Sequence, residues 1–303
     1  MKLLLEYIIF PGFFFSATCG LLAGWVDRKV SARLQWRVGP PWHQNFTDII
    51  KLCGKEIIIP QGAGPVFLLA PYFALLSAVL ASTILGLAVI SPLGGFTGDL
   101  IVILYLLAMP AIAVLVGACA SANPMASLGA SREMKSILAY ELPFLLSVIT
   151  VIIKNAGSIQ LGNILNNQVN YASLIFSYSG ILAFLAAIFC IQAKLCLGPF
   201  DASEAEQEIM SGVFIEYSGL PLAVFKLARA IMFYTMPLLL IVLFWGKDLS
   251  ALALIGKYVV ILVIMILVKN TNPRLRIDQL MRFFWGPVTL LALVSAGLAV
   301  FGY

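Results

Sequence analysis

Charge is scarce in this 303-residue chain: Asp, Glu, Lys and Arg make up 11% of it against 61% hydrophobic residues, and the mean hydropathy is +1.01. A water-soluble domain of this length cannot cover itself with so few polar side chains, so that class is excluded, and nothing in the pattern points to nucleic acid. Histidine is nearly absent, and His43 alone cannot build a ligand cluster. The five cysteines, at positions 19, 53, 119, 190 and 196, show no paired metal-ligand spacing and mostly fall in or beside apolar runs, so they read as packing or loop thiols. Internal repeats, low-complexity tracts and domain linkers are also missing, and residues 1–303 are expected to form a single transmembrane domain. The apolar start resembles a signal peptide, yet Glu6 interrupts it and no clear small-x-small cleavage site follows, so it is read as a retained anchor.

What remains is a series of apolar runs. A helix needs about 20 mainly apolar residues to cross the hydrocarbon core, and runs of that kind lie near residues 3–25, 65–91, 99–121, 137–153, 173–193, 213–245, 251–268 and 283–302. The expected fold is therefore all-α and polytopic, with about eight transmembrane helices. The run 213–245 is too long for one straight span, so its first part is expected to lie tilted or buried against other helices. Basic residues are unevenly shared among the connections: loops 26–64, 122–136, 194–212 and 269–282 hold 13 of the 19, and the N-terminus and the remaining loops hold 3. By the positive-inside rule the first set is cytoplasmic and both termini are extracytoplasmic.

The longest loop, 26–64, carries Arg28, Lys29, Arg33 and Arg37 at roughly helical spacing before Gly39, Pro40 and Pro41 end the segment. Ile49, Ile50, Leu52 and Cys53 then alternate with Asp48, Lys51, Lys55 and Glu56. That pattern predicts a basic helix, a turn, and an amphipathic helix in the membrane interface. Such a surface either holds anionic membrane lipid or docks an acidic partner.

The densest charge lies between residues 194 and 216, where Lys194 faces Asp201, Glu204, Glu206, Glu208 and Glu216, a net of −4 in a chain of net +5. Carboxylates so close together repel one another beside a low-dielectric medium, so the loop is expected to handle protons. Asp201, Glu204 and Glu208 would share one face of a helix. A plainer alternative is a capping box formed by Asp201 and Glu204, which leaves Glu206, Glu208 and Glu216 unexplained. Within the spans, Glu141, Lys226 and Arg229 are ionisable groups that cost about 2.5–3.5 kcal/mol at mid-membrane unless paired or wet. Snorkelling or a structural ion pair is the alternative for each, and Lys226 and Arg229 are expected to pair across helices with Glu141 or the acidic loop.

These residues carry a resemblance. Pro199, Phe200, Asp201, Glu204, Glu206 and Glu208, followed by Gly212, Glu216 and Tyr217, are similar to the signature loop of the proximal membrane subunit of respiratory complex I and its relatives in membrane-bound hydrogenases. The likeness spreads over nearly the whole chain, through Asp27 to Pro40, Gln44 to Glu56, Gly129 to Arg132, Tyr140 to Pro143 and Arg274 to Arg282. Quinone-reducing members carry a longer Gly-Pro segment where this chain has only Pro41, Trp42 and His43, and an Arg where it has Leu197. The segments Gly98 to Tyr105, Gly129 to Glu133 and Glu204 to Glu208 instead resemble the anchor subunit of energy-converting nickel-iron hydrogenases and formate hydrogenlyases.

The resemblance implies a non-catalytic subunit of an oxidoreductase complex, in the cytoplasmic (inner) membrane of a prokaryote, with no cofactor of its own. The nickel-iron centre and iron–sulfur clusters would belong to partner hydrogenase-like large and small subunits and iron–sulfur proteins, and antiporter-like membrane subunits would adjoin. Arg28, Lys29, Arg33, Arg37, Arg274 and Arg276 are then expected to dock the soluble arm. Asp201, Glu204, Glu206, Glu208, Glu216 and Glu141 would bear the protons (or govern Na⁺), with Lys226 and Arg229 tuning them. The alternatives are a quinone-binding subunit of a complex I-like dehydrogenase and an independent secondary transporter, the latter disfavoured by the missing inverted repeat.

Overall fold

A computed structural model describes residues 2–302, with the side chains of Lys2, Leu3, Leu4, Leu93, Glu206 and Gln207 left aside. Among the described residues every regular element is helical: α1 (Lys2–Ile8), α2 (Phe13–Leu34), α3 (Gln44–Cys53), α4 (Pro65–Ile90), α5 (Asp99–Cys119), α6 (Pro124–Lys154), α7 (Leu161–Asn170), α8 (Tyr178–Lys194), α9 (Glu206–Ile209), α10 (Gly219–Phe244), α11 (Ala251–Thr271), α12 (Ile277–Phe283) and α13 (Thr289–Val300). Seven helical stretches among the described residues are long and apolar enough to cross a membrane, and α8, 17 residues long, is a shorter apolar helix. The chain is a polytopic membrane protein, as its composition requires.

The elements depart from the expected runs in three places. The first run, 3–25, is interrupted at Pro11, and its main helix continues to Leu34, so the predicted basic helix is the projecting end of α2. Helix α6 begins at Pro124, capped by the Asn123 side chain accepting from the Met125 N–H at 2.8 Å, so most of the supposed loop 122–136 is helical. At 31 residues α6 is roughly 46 Å long, more than the hydrocarbon core of about 30 Å, and its first turns stand beyond the apolar run 137–153. The run 213–245 resolves into a short 3₁₀ turn at Gly212–Phe214 and α10 from Gly219 onward. The amphipathic α3 forms where expected, with none of its residues fully buried.

Helix α10 is the axis of the bundle, buried from Met236 to Phe244 and packed against α2, α3, α4, α8 and α11. Its approach to α2 is backbone on backbone: a Cβ on Gly20 would lie 2.1 Å from the Ala230 carbonyl oxygen. Loops 26–64, 122–136, 194–212 and 269–282 gather at one end of the bundle, tied by Lys269 to Asp27 at 2.7 Å and Leu275 N–H to the Pro199 carbonyl at 3.0 Å. The opposite end is closed by α7, an amphipathic helix outside the predicted spans. Asp99 Oδ1 accepts the Leu161 N–H at 2.8 Å at its start, and Gln168 binds the end of α10.

Candidate functional site: a carboxylate and cation network at the loop end

The acidic loop does not form one helix. A 3₁₀ turn at Ala202–Glu204 and the single turn α9 are separated at Ala205, and Met210 and Ser211 both take left-handed backbone angles, φ +49° and +73°. Non-glycine residues in such conformations cost about 1–3 kcal/mol each and persist only where their surroundings hold them. The hold comes from α6: a Cβ on Gly129 would lie 2.7 Å from the Val213 nitrogen, so only glycine lets the loop pack this close.

Because the loop is broken, its carboxylates diverge and each finds its own partner. Asp201 accepts from Arg274 Nε at 2.8 Å, Glu208 from Arg132 at 2.5 Å, and Glu204 from Arg229 Nη1 at 2.8 and 2.6 Å. Glu216 accepts from the Asn123 side-chain amide. The expectation of mutually repelling carboxylates on a shared helix face is thus corrected: the break at Ala205 aims them at different elements. The capping-box alternative fails as well, since Asp201 precedes the 3₁₀ turn but makes no capping hydrogen bond. The side chain of Glu206 lies outside the described residues.

Arg229 joins the loop to the axial helix. While Nη1 holds Glu204, Nη2 donates to the carbonyls of Leu195 and Cys196 at 3.1 and 3.0 Å, fixing the turn after α8 in which Cys196 has φ +48°. On the other side of that turn, Lys194, 1% exposed at its side chain, donates to Glu141 at 3.2 Å and lies 4.9 Å from the Phe144 ring centre. Arg229 therefore pairs with the acidic loop as expected, but Glu141 takes Lys194. Lys226 forms no salt bridge with a described carboxylate and instead lines a cavity of about 390 Å³ with Asp27, Arg28, Asp48, Leu197 and Lys269.

Two functional candidates escaped the sequence. Glu133, 3% exposed, lies between the two ion pairs, and the Cys196 thiol donates to its oxygens at 3.4 and 3.7 Å. Burial first, then the neighbouring Glu133 and Glu204 carboxylates, hold the Cys196 thiol well above the ordinary cysteine range, so it remains an S–H donor and not merely a packing group. Lys194 is the other; the sequence shows it only as the one cation among the carboxylates of residues 194–216. The available signal for Glu133 was its place seven residues before Tyr140, on one helix face; Arg132 and Lys135 beside it gave the segment the look of a loop.

The predicted docking residues lie at the same end. Arg28 reaches Asn45 at 2.7 Å and Asp48 at 3.2 Å, seating α3 on α2. Although partial burial opposes it, hydrogen bonds from Gln44 and Arg28 hold the Asp48 carboxyl below the usual carboxylate range. Arg33, Arg37, Arg274 and Arg276 are exposed or half-exposed, and Lys29 is half-buried. Trp36 is 98% exposed between Arg33 and Arg37.

With this geometry in hand, known proteins supply close comparisons. The sequence profile of the family described as NADH dehydrogenase matches residues 7–300. The H subunit of the NADH-quinone oxidoreductase of Anoxybacillus flavithermus is 35% identical over 295 residues, covering 92% of this chain and 86% of its own. Its counterpart from Geobacillus kaustophilus is 31% identical over 296 residues, with 92% and 86% covered. Among solved structures, a chain of the membrane-bound sulfane sulfur reductase, described as an archaeal respiratory membrane complex, matches with a TM-score of 0.89 and 28% identity, covering 99% of this chain and 100% of that one.

Proposed function

Since the chain belongs to the NADH dehydrogenase family that includes the H subunits of NADH-quinone oxidoreductases, we propose that it is the membrane anchor of a complex I-like respiratory assembly, and within that class of an energy-converting nickel-iron hydrogenase-type complex. In this role it seats a soluble redox arm on Arg28, Lys29, Arg33, Arg37, Arg274 and Arg276. Electron transfer in the arm is coupled to H⁺ or Na⁺ movement through Asp201, Glu204, Glu206, Glu208, Glu216 and Glu141, with Lys226 and Arg229 as tuning charges. The nickel-iron centre and iron–sulfur clusters belong to the partner subunits, and antiporter-like subunits complete the ion path. The membrane is the cytoplasmic (inner) membrane of a prokaryote, with both termini extracytoplasmic.

The observation that carries this reading is the gathering of ion pairs at the loop end. Arg274, the partner of Asp201, and Arg132 with Glu208 lie about one cavity, and Arg229 with Glu204 lies with Lys194, the partner of Glu141, about another. A charge change on an arm docked at Arg274 would act on these ion pairs, which is what coupling between distant sites requires.

The quinone-binding alternative is favoured by a different observation, the cavity of about 390 Å³ between α2, α3 and α10. It has apolar walls from Leu21, Ile49 and Phe233 but also six charged side chains from the first loop, α10 and α11, so it suits a ligand with a polar head and an apolar body. Leu197 on its wall stands where the resembling quinone reducers carry an Arg.

Purification of the intact complex through a tag on this chain separates the two. Hydrogen evolution from a reduced low-potential donor, with a copurifying nickel-iron subunit, is the expected result; quinone reduction without hydrogen moves the chain to the other branch. In the same complex, Glu204→Gln together with Glu208→Gln is expected to uncouple ion movement from electron transfer with assembly intact. Normal translocation in that double variant would remove the loop from the path.

A further inference from the structure

Glu133 is the one described carboxylate of the network that is buried without a cation in salt-bridge contact. Its neighbours are a thiol and a hydroxyl: Cys196 Sγ lies 3.4 and 3.7 Å from its oxygens, and Ser203 Oγ lies 3.7 Å from that sulfur. The three line one small cavity of about 60 Å³ with Lys194, Glu204 and Arg229. Tyr140, two turns along the same helix from Glu133, has its ring centre 5.8 Å from Lys194 Nζ. We infer that Glu133, beside Cys196 and Ser203, is a proton-binding station between the Lys194 to Glu141 and Arg229 to Glu204 pairs, and that the ion bound there is H⁺ and not Na⁺. This deepens the coupling role proposed above and rests on it.

The chemistry of the donors carries the choice of ion. A buried carboxylate with only neutral donors in contact is costly while ionised, and binding a proton relieves that cost without bringing in a bulky ligand. A metal cation in the same place would have to shed water and replace it with several oxygen ligands. Besides the oxygens of Glu133, Ser203 and Glu204 it would find one sulfur, a soft ligand, and two positive charges, Lys194 and Arg229, that repel it from the same cavity wall. Among the described residues no group of three or more His, Cys, Asp or Glu side chains is placed to hold a metal ion. The station is also poised to respond: Arg229 binds Glu204 and the Cys196 carbonyl at once, so a shift of Glu204 toward or away from Arg229 changes both the field at Glu133 and the position of its thiol partner.

The test uses the intact complex, purified through this chain and reconstituted in liposomes, with infrared difference spectra across a pH titration and with ion uptake measured in sodium and in sodium-free buffer. The expected result is a carbonyl stretch of a protonated carboxylic acid that is absent from Glu133→Gln and displaced in Cys196→Ser. Proton uptake is expected to be indifferent to sodium and to fall by about a hundredfold in Glu133→Gln, with partial retention in Glu133→Asp. A spectrum unchanged in Glu133→Gln, or uptake that requires sodium, overturns the inference. Uptake lost in Glu204→Gln but normal in Glu133→Gln overturns the station and leaves the coupling role standing. Normal uptake in both removes the coupling role, and the station with it.

Discussion

Arg229 shows how one side chain holds two functions. Its guanidinium binds both oxygens of Glu204 through one nitrogen and the Leu195 and Cys196 carbonyls through the other. A lysine keeps the charge but cannot span both sets of acceptors. Arg229→Lys is therefore expected to destabilise the turn after α8 by about 1–3 kcal/mol and to make the half-buried Cys196 thiol more accessible, read by residue-resolved alkylation and mass spectrometry. Asp48 gives a pH dependence of definite sign. Despite partial burial, its carboxyl is held below its unfolded value by Gln44 and Arg28. The seating of α3 on α2 is thus fully stabilised above the ordinary carboxylate value of about 3.9, and that contribution is lost as the pH falls through the lower, folded value. A fluorescent probe on the exposed Cys53 is expected to report loosening of α3 only in that acid range, and no acid transition in Asp48→Asn.

Helix α10 works as an element because its two ends differ. At the far end Gln168 donates to the Val242 and Leu243 carbonyls at 3.0 and 2.9 Å and accepts the Gly246 N–H at 2.7 Å. Lys257 donates to the carbonyls of Trp245 and Asp248 at 2.9 and 2.8 Å, and to that of Lys247. Carbonyls at a helix C-terminus lack intrahelical donors, and in an apolar bundle side chains must supply them. Gln168→Leu leaves the Gly246 N–H buried and unpaired, at a cost of about 1–3 kcal/mol. Faster hydrogen exchange confined to residues 242–248 is the expected outcome; faster exchange around Glu204 as well would mean that α10 transmits the loss along its length. The other end carries Arg229 into the charged network, so the axial helix is pinned by backbone capping at one end and by the Arg229 to Glu204 pair at the other.

For the whole molecule, the exposed arginines and Trp36 form the face presented by the end of α2. A tryptophan that is 98% exposed beside Arg33 and Arg37 suits a polar-rimmed protein interface as well as it suits lipid headgroups. The two are separated by charge reversal. Arg33→Glu with Arg37→Glu is expected to release the soluble arm at moderate salt of about 0.15 M, scored by copurification, whereas retention of the arm together with weakened binding to anionic vesicles points to lipid. The ion-pair network lies at this same end, and under the proposed role docking and coupling would meet at Arg274, which pairs with Asp201.

The sequence by itself determined the class, the number of apolar runs, the amphipathic α3 and the gathering of charge in residues 194–216, because hydrocarbon tolerates few polar groups and composition registers that directly. Tertiary structure alone decided the pairing. Glu204 lies 25 residues from Arg229, Glu208 76 from Arg132 and Glu141 53 from Lys194, and no local pattern links positions so far apart. The broken loop was illegible for a related reason: its left-handed residues at 210 and 211 persist because Gly129 lets the backbone of α6 approach, a contact that exists only once the helices have packed. Glu133 stayed hidden in a stretch that reads as a charged loop and became a buried site only when α8, the acidic loop and α10 closed around it.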